Sequence, residues 1–551
     1  MSYVYEKYVK PTFDENGMLT NVTYDIPNDF NFGFDVVDAI AAKTPDKRAM
    51  MWVGDDGSDR LFTFADISRL SNKAANVFKA AGIKKGDCVM LVLKRHYQFW
   101  YAITALCKLG AVCIPGTNLL KAHDLVYRFN AASVKAIVCT GEGEISESVD
   151  EAQKECPSLE SKFGVRGTRD GWLDFDALVE AASDEFDRPT GEEAHVLADP
   201  MLMYFTSGTT GQPKMVWHNF AYPVAHVVTA RWWHNVDPDG LHFTVAETGW
   251  GKAVWGKLYG QWFCEAGVFT YDFERFHGDD VMRMIEKYKV TTFCAPPTIY
   301  RFFIKEDLSK YDLSSIKYAT VAGEAVNPEV FSAFYNATGL KLMEGFGQTE
   351  TTLTVFNRIG MEPKPGSMGR PSPAYKTDII VDGRSAKPGE VGEICIHLDE
   401  GKPYGLFGGY YRDPERSAEA CSGGLYHTGD VAWRDEDDYF WYVGRTDDII
   451  KSSGYRIGPF EVESVLMELP YVMECAVTGA PDPVRGQVVK ATIVLTKGTE
   501  GSDALVKEIQ EYVKTHTASY KYPRIVEFVS ELPKTISGKI KRAEIKKKDN
   551  A

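Results

Sequence analysis

At 551 residues the chain is longer than one hydrophobic core usually holds, so two or more domains are expected. Its 44% hydrophobic and 25% charged residues are the composition of a soluble globular protein, and a net charge of −15 excludes non-specific nucleic-acid binding, which needs basic surface to displace counterions. Ten cysteines form no Cys-x-x-Cys pair, and several sit in apolar runs such as Ala136-Ile137-Val138-Cys139. They read as small buried hydrophobes in a reducing compartment. The first residues show no basic-then-apolar signal pattern and no stretch nears ~18 uninterrupted apolar residues, so a cytoplasmic location without integral membrane association is expected.

Thr63-Phe64-Ala65-Asp66 has the form of a capping box. The apolar residues behind it, Ile67, Leu70, Ala74, Val77, Phe78 and Ala81, follow helical spacing, and Gly82 is the stop. Residues 88–93 read as a buried strand, 96–109 as a helix, 111–114 as a further apolar run and 135–139 as another strand. Strands alternating with helices imply βαβ units and a parallel sheet. Residues 201–205, 242–246, 291–295 and 318–322 repeat the strand signal, with a helix over 281–288. From 376 to 396 a Gly/Pro-punctuated alternation suits a small antiparallel sheet or barrel, and the charged cluster at 445–451 marks a domain boundary.

The segment Tyr204-Phe205-Thr206-Ser207-Gly208-Thr209-Thr210-Gly211-Gln212-Pro213-Lys214 carries the strongest chemical signal. Small residues let backbone N–H groups form a concave anion nest, hydroxyls add donors and Lys214 adds charge, which together suit a polyphosphate. The spacing is not that of a Walker A loop, since Lys214 follows a proline and no Ser or Thr comes next. In Glu344-Gly345-Phe346-Gly347-Gln348-Thr349-Glu350, glycines allow close approach to a ligand, Phe346 offers a ring face, and Glu350 offers a hard oxygen donor for Mg²⁺. Asp430, in Tyr426-His427-Thr428-Gly429-Asp430, and Arg445 suit ribose hydroxyls, although a plain surface ion pair has the same residue types. Lys539 follows Ser537-Gly538 in a flexible-looking segment and suits the charge developing between a carboxylate and an α-phosphate.

In order along the chain, residues 206–214, 318–324, 345–350, 426–430, 444–456 and 533–539 resemble the motifs of AMP-forming acyl-CoA synthetases. These belong to the adenylate-forming superfamily of acyl-CoA synthetases, adenylation domains and luciferases, and the chain looks most like its medium-chain members over roughly residues 30–545. The resemblance implies an α/β protein with a large N-terminal part, residues 1–446, made of two parallel-sheet subdomains and a small β-barrel. A smaller, mobile α+β domain, residues 447–551, would carry the catalytic lysine. It implies ATP, Mg²⁺, coenzyme A and a small carboxylic acid as the molecules bound, with a homodimer left open. Thr206, Ser207, Gly208, Thr209, Thr210 and Lys214 would hold the β- and γ-phosphates, and Thr349 with Glu350 the α-phosphate and Mg²⁺. Gly323, Glu324, Ala325, Glu344, Gly345, Phe346 and Gly347 would frame the nucleotide, and Asp430 with Arg445 the ribose. Asp447 would be the hinge, Arg456 and Lys539 would serve adenylation, and Gly454, Tyr455, Arg485 and Lys514 would meet CoA.

For the acid, the resemblance implies a pocket formed by Trp250, Gly251, Lys252, Trp255, Ala322 and Gly347. Acetate-specific relatives have a tryptophan where this chain has Gly347, so a roomier pocket for a short branched, medium-chain or small aromatic acid is expected. Lys252 departs from the apolar or small residue expected there, and its ammonium is expected to reach solvent, the alternative being a polar group on the substrate. Two other readings remain: adenylation for a separate carrier protein, and a non-catalytic acyl or nucleotide sensor.

Overall fold

The computed structural model describes residues 2–206, 212–453, 455–535 and 539–549. The expected capping box is present: the Thr63 hydroxyl accepts from the Asp66 amide (3.1 Å), the Asp66 carboxylate accepts from the Thr63 amide (3.0 Å), and the helix Phe64–Ala80 follows. Gly82 takes a φ of +80° just beyond it, where a side chain would be strained. The next helix, Gln98–Leu109, is buried along its whole length and ends on Gly110 in the left-handed conformation.

These helices pack on two large sheets. One has eight strands in the order Gly409–Tyr410, Lys214–Asn219, Pro200–Thr206, Val112–Pro115, Cys88–Val92, Val134–Thr140, Ser161–Val165 and Leu173–Asp174. Lys214–Asn219 alone runs against the others, pairing antiparallel with both of its neighbours. The other has nine strands, with a parallel centre of Leu342–Gly347, Tyr318–Val321, Thr292–Ala295, Leu241–Thr244, Gly267–Asp272 and Arg48–Gly54. A shared core that includes Trp52, Leu91, Trp100 and Trp262 lies between the two sheets. Each outer face has its own apolar cluster, one around Phe293, Phe303 and Phe334, the other around Leu125, Phe129 and Val149. Both faces of each parallel sheet are therefore covered, which explains the nearly continuous apolar strand sequences.

Residues 376–396 fall in an antiparallel five-stranded sheet, ordered Arg384–Ser385, Thr377–Val381, Gly392–His397, Leu425–Arg434 and Phe440–Arg445. A separate C-terminal sheet pairs Val472–Asp482 with Gly486–Leu495 and carries its own core around Ile457, Val462, Ile493 and Ile509. The lysine-rich tail is a helix, Arg542–Asp549, anchored where Arg542 meets Glu463 at 2.8 Å. All ten cysteines are free thiols, nine of them buried. Among the described residues no helix is long and apolar enough to cross a membrane.

Candidate functional site

The strands on either side of the Ser/Thr/Gly segment, Pro200–Thr206 and Lys214–Asn219, pair antiparallel and place Thr206 opposite Lys214. Ser207, Gly208, Thr209 and Thr210 lie outside the described residues. The Tyr127 hydroxyl donates to the Pro213 carbonyl (2.9 Å), and the Lys214 ammonium stands 5.0 Å from the centre of the Tyr410 ring. An aromatic face positions a cation without neutralising it, so the charge stays available to an anion. A cavity of about 300 Å³ opens beside it, lined by Lys214, Tyr411, Arg412 and Arg416 among others.

The Tyr410 hydroxyl donates to Glu350 Oε1 at 3.0 Å. Burial pushes the Glu350 carboxyl up, while the hydrogen bonds it receives and the charges of Lys214 and Arg445 pull it down. This half-buried carboxylate is a hard oxygen donor that fits Mg²⁺. Its neighbour Thr349 is held from behind, because His218 Nε2 meets the Thr349 carbonyl at 2.7 Å and the His218 ring stacks on Tyr222 at 3.7 Å. Burial drives the His218 pKa down to about 3, so the ring is neutral at physiological pH and donates through Nε2.

Asp430 and Arg445 are register partners on adjacent strands, with Arg445 Nη1 3.2 Å from Asp430 Oδ2. The surface-pair alternative fails, since Asp430 is only 5% exposed. Its carboxylate also accepts from the Tyr442 hydroxyl (3.0 Å) and from Gln348, whose own oxygen accepts from the Tyr426 hydroxyl (2.7 Å). Residues 344–347 belong to the strand Leu342–Gly347. Glu344 points inward, its carboxylate accepting from the Val326 amide at 3.3 Å, and burial holds its pKa well above the carboxylate range. A side chain at Gly345 would lie 2.8 Å from Trp233, and Phe346 packs 6.3 Å from Tyr442. Gly323, at φ +113°, and Glu324 are exposed, Ala325 is half-buried, and Glu324 lies 3.7 Å from Arg301.

On the acid side, a Cβ at Gly347 would lie 2.4 Å from the Thr352 carbonyl and 2.8 Å from Trp255 Cη2. The space a side chain at Gly347 would take is thus occupied by the Thr352 backbone and the Trp255 indole. Trp255 is fixed by its own N–H, which donates to the Tyr222 hydroxyl at 2.8 Å. Trp250 precedes the helix Gly251–Lys257 and is half-buried. The solvent expectation for Lys252 is corrected: its ammonium donates to the Ala322 carbonyl at 2.7 Å. That carbonyl lies just past the strand Tyr318–Val321, beyond the parallel ladder, and so remains free to accept.

Lys539 is exposed, and its carbonyl accepts from the Thr535 amide at 2.7 Å. Burial pushes the Asp430 pKa up and the Lys252 pKa down, and the charge of Lys539 is a minor contribution that lowers both. Arg456 and Tyr455 are exposed on the C-terminal domain, with Tyr455 stacked on Tyr520 at 4.1 Å. Arg485 donates to Ser453 at 3.1 Å and Lys514 lies 3.4 Å from Glu511 on a helix surface, while Gly454 lies outside the described residues. Asp447 lies 3.8 Å from Arg445, and its carbonyl accepts from Lys546 at 2.9 Å. Tyr410, His218, Tyr222 and Tyr442 were missed from sequence. The one local signal was Phe407-Gly408-Gly409-Tyr410, where Gly408 admits Trp217 within 2.2 Å of a would-be Cβ.

Residues 37–411 match the AMP-binding enzyme family and residues 461–539 the AMP-binding enzyme C-terminal domain. Human acyl-coenzyme A synthetase ACSM3, mitochondrial, is 41% identical over 535 residues, covering 95% of this chain and 90% of that protein. Rat acyl-coenzyme A synthetase ACSM4, mitochondrial, is 40% identical over 543 residues, covering 96% and 92%. The anthranilate CoA ligase AuaEII in complex with anthranoyl-AMP superposes with a TM-score of 0.87 at 28% identity over 96% of this chain and 98% of that one. The acyl-CoA synthetase of Brucella canis gives 0.71 at 30% identity over 95% and 94%.

The mitochondrial names of these relatives overturn the cytoplasmic expectation and point to the mitochondrion. Free buried thiols report a reducing environment but not which reducing compartment it is. ATP, coenzyme A and a carboxylic acid are the substrates, with Mg²⁺ required. The chain belongs to the AMP-forming acyl-CoA synthetases of the adenylate-forming superfamily.

Proposed function

We propose that the acid is a short branched, medium-chain or small aromatic carboxylate, and that the chain joins it to CoA in two half-reactions. The contact between Trp255 and the Gly347 backbone carries this reading. With Gly347 no side chain enters from that strand, and the indole, reaching in from another element, takes the space where one would stand and bounds the pocket there. That geometry favours acids larger than acetate but of limited length. The anthranilate ligase neighbour supports an aromatic acid as one member of the class.

In the first half-reaction a carboxylate oxygen attacks the α-phosphorus and pyrophosphate leaves. Lys214 and Thr206 to Thr210 hold the departing phosphates, Thr349 and Glu350 face the α-phosphate, and Glu350 would hold Mg²⁺, which would offset phosphate charge. Asp430 and Arg445 fix the ribose, with Gly323, Glu324, Ala325 and Phe346 around adenine. Lys539 offsets the charge of the transition state. Residues 447–551 then turn about Asp447, withdrawing Lys539 and bringing Gly454, Tyr455, Arg485 and Lys514 toward CoA. The CoA thiol displaces AMP.

The test is pyrophosphate and AMP release from Mg·ATP over C2 to C12, branched and aromatic acids, with and without CoA. CoA-dependent turnover peaking beyond acetate is expected. A peak at acetate refutes the pocket reading, and pyrophosphate release indifferent to CoA moves the enzyme toward carrier-directed adenylation.

A further inference from the structure

We propose that Glu393, Cys395 and His427 form a binding site for a thiophilic divalent cation, Zn²⁺, on the antiparallel sheet beneath the ribose pair. Cys395 and His427 face each other across the strands Gly392–His397 and Leu425–Arg434, and Glu393 precedes Cys395 by two residues on the same strand. His427 Nδ1 lies 2.9 Å from Glu393 Oε2 and 3.7 Å from Cys395 Sγ, and all three donor atoms fall within 4.8 Å of one another. Among the described residues this is the only such convergence of His, Cys and acidic donors.

The distances suit the ion. Zinc bonds of ~2.0–2.1 Å to nitrogen and oxygen and ~2.3 Å to sulfur, at tetrahedral angles, give donor separations of roughly 3.4–3.6 Å. The sulfur–nitrogen distance is already close to that value, and the carboxylate has only to draw back by roughly half an ångström. One sulfur, one nitrogen and one oxygen donor form a set that zinc accepts and Mg²⁺ does not favour. Cys395 is fully buried, but His427 and Glu393 keep side-chain exposures of 35% and 25%, so the fourth position opens to water.

The surroundings favour a cation as well. Burial, then the charges of Glu393 and Asp378, disfavour a free Cys395 thiolate, so two carboxylates bear on one buried sulfur. On binding, the thiol proton passes to solvent as the metal–sulfur bond forms. The His427 proton moves to Nε2, freeing the Nδ1 lone pair, and the two anionic ligands balance the ion's charge. Glu393 Oε1 stays engaged with the Gly429 amide at 2.8 Å, which orients the carboxylate from behind. Gly429 leads directly to Asp430, and the Thr428 carbonyl accepts from Arg445 at 3.0 Å, so an occupied site would brace the ribose-binding strand.

The test is titration of the chelator-treated full-length protein with Co²⁺. A thiolate-to-cobalt charge-transfer band with tetrahedral visible bands is expected, bleached by one equivalent of Zn²⁺ and untouched by excess Mg²⁺. Cys395→Ser should abolish the charge-transfer band. His427→Gln and Glu393→Gln, at partly exposed positions that keep the fold if the buried serine does not, should each weaken cobalt binding at least tenfold. Absence of the band in the wild-type protein, its survival in Cys395→Ser, indifference to both glutamine variants, or displacement by Mg²⁺ would each overturn the proposal.

Discussion

Trp255→Phe tests the acid pocket most directly. The substitution shortens the ring that lies 2.8 Å from a would-be Cβ on Gly347 and removes the N–H that donates to the Tyr222 hydroxyl. The lost volume of roughly 40 Å³ at ~24 cal/mol per Å³ costs about 1 kcal/mol. Leaving the buried Tyr222 hydroxyl without its donor adds about 1–3 kcal/mol. The total of about 2–4 kcal/mol lies within the ~5–15 kcal/mol by which proteins are stable, so the variant should fold and melt several degrees lower. The space gained matches about one methylene, which a hydrophobic pocket weighs at about 1–3 kcal/mol. The preferred straight-chain acid should therefore lengthen by one carbon, with kcat/KM for that homologue rising about tenfold relative to the previous optimum. CoA-dependent AMP release across C4 to C12 acids reads the profile, and a thermal melt confirms folding. A folded variant with an unchanged profile would refute the placement of Trp255 at the end of the acyl chain.

Lys539→Ala should slow pyrophosphate release about 10²–10³-fold while thioester formation from synthetic acyl-adenylate and CoA stays within a few-fold. Equal loss in both half-reactions would remove its assignment to the first. Asp430→Asn exchanges an acceptor of three donors for an amide, and the loss of a charge-assisted hydrogen bond, about 1.5–3 kcal/mol, predicts a KM for ATP raised about 10–100-fold with the KM for the acid little changed. Buried histidines set the acid limit of stability. His218 and His242 are lowered to about 3 by burial, and His226 and His234 also lie well below the ordinary 6.5. They stay neutral in the fold but gain protons when unfolded, so their contribution is complete above about pH 6.5 and falls as pH drops toward 3. Urea midpoints from pH 7.5 to 4.5 should decline steadily below 6.5, each such group costing about 1 kcal/mol per pH unit, and a flat profile to pH 4.5 would contradict it.

The elements legible in the sequence are those written in local physics. Thr63 and Asp66 cap a helix because they are three residues apart, and residues 88–93 and 135–139 read as buried strands because both faces of a parallel sheet are covered. The Asp430–Arg445 pair was also legible, since it joins neighbouring strands of one antiparallel ladder. Other contacts depended on which strands became neighbours. Trp255 fills the space at Gly347, Lys252 reaches the Ala322 carbonyl instead of water, and Tyr410 sets Glu350 and Lys214 from a short edge strand. Each joins residues many tens of positions apart. Periodicity and caps specify the direction of the chain over a few residues, whereas these meetings follow from the crossover order of two sheets closing over a shared core, and only the folded chain brings those residues together.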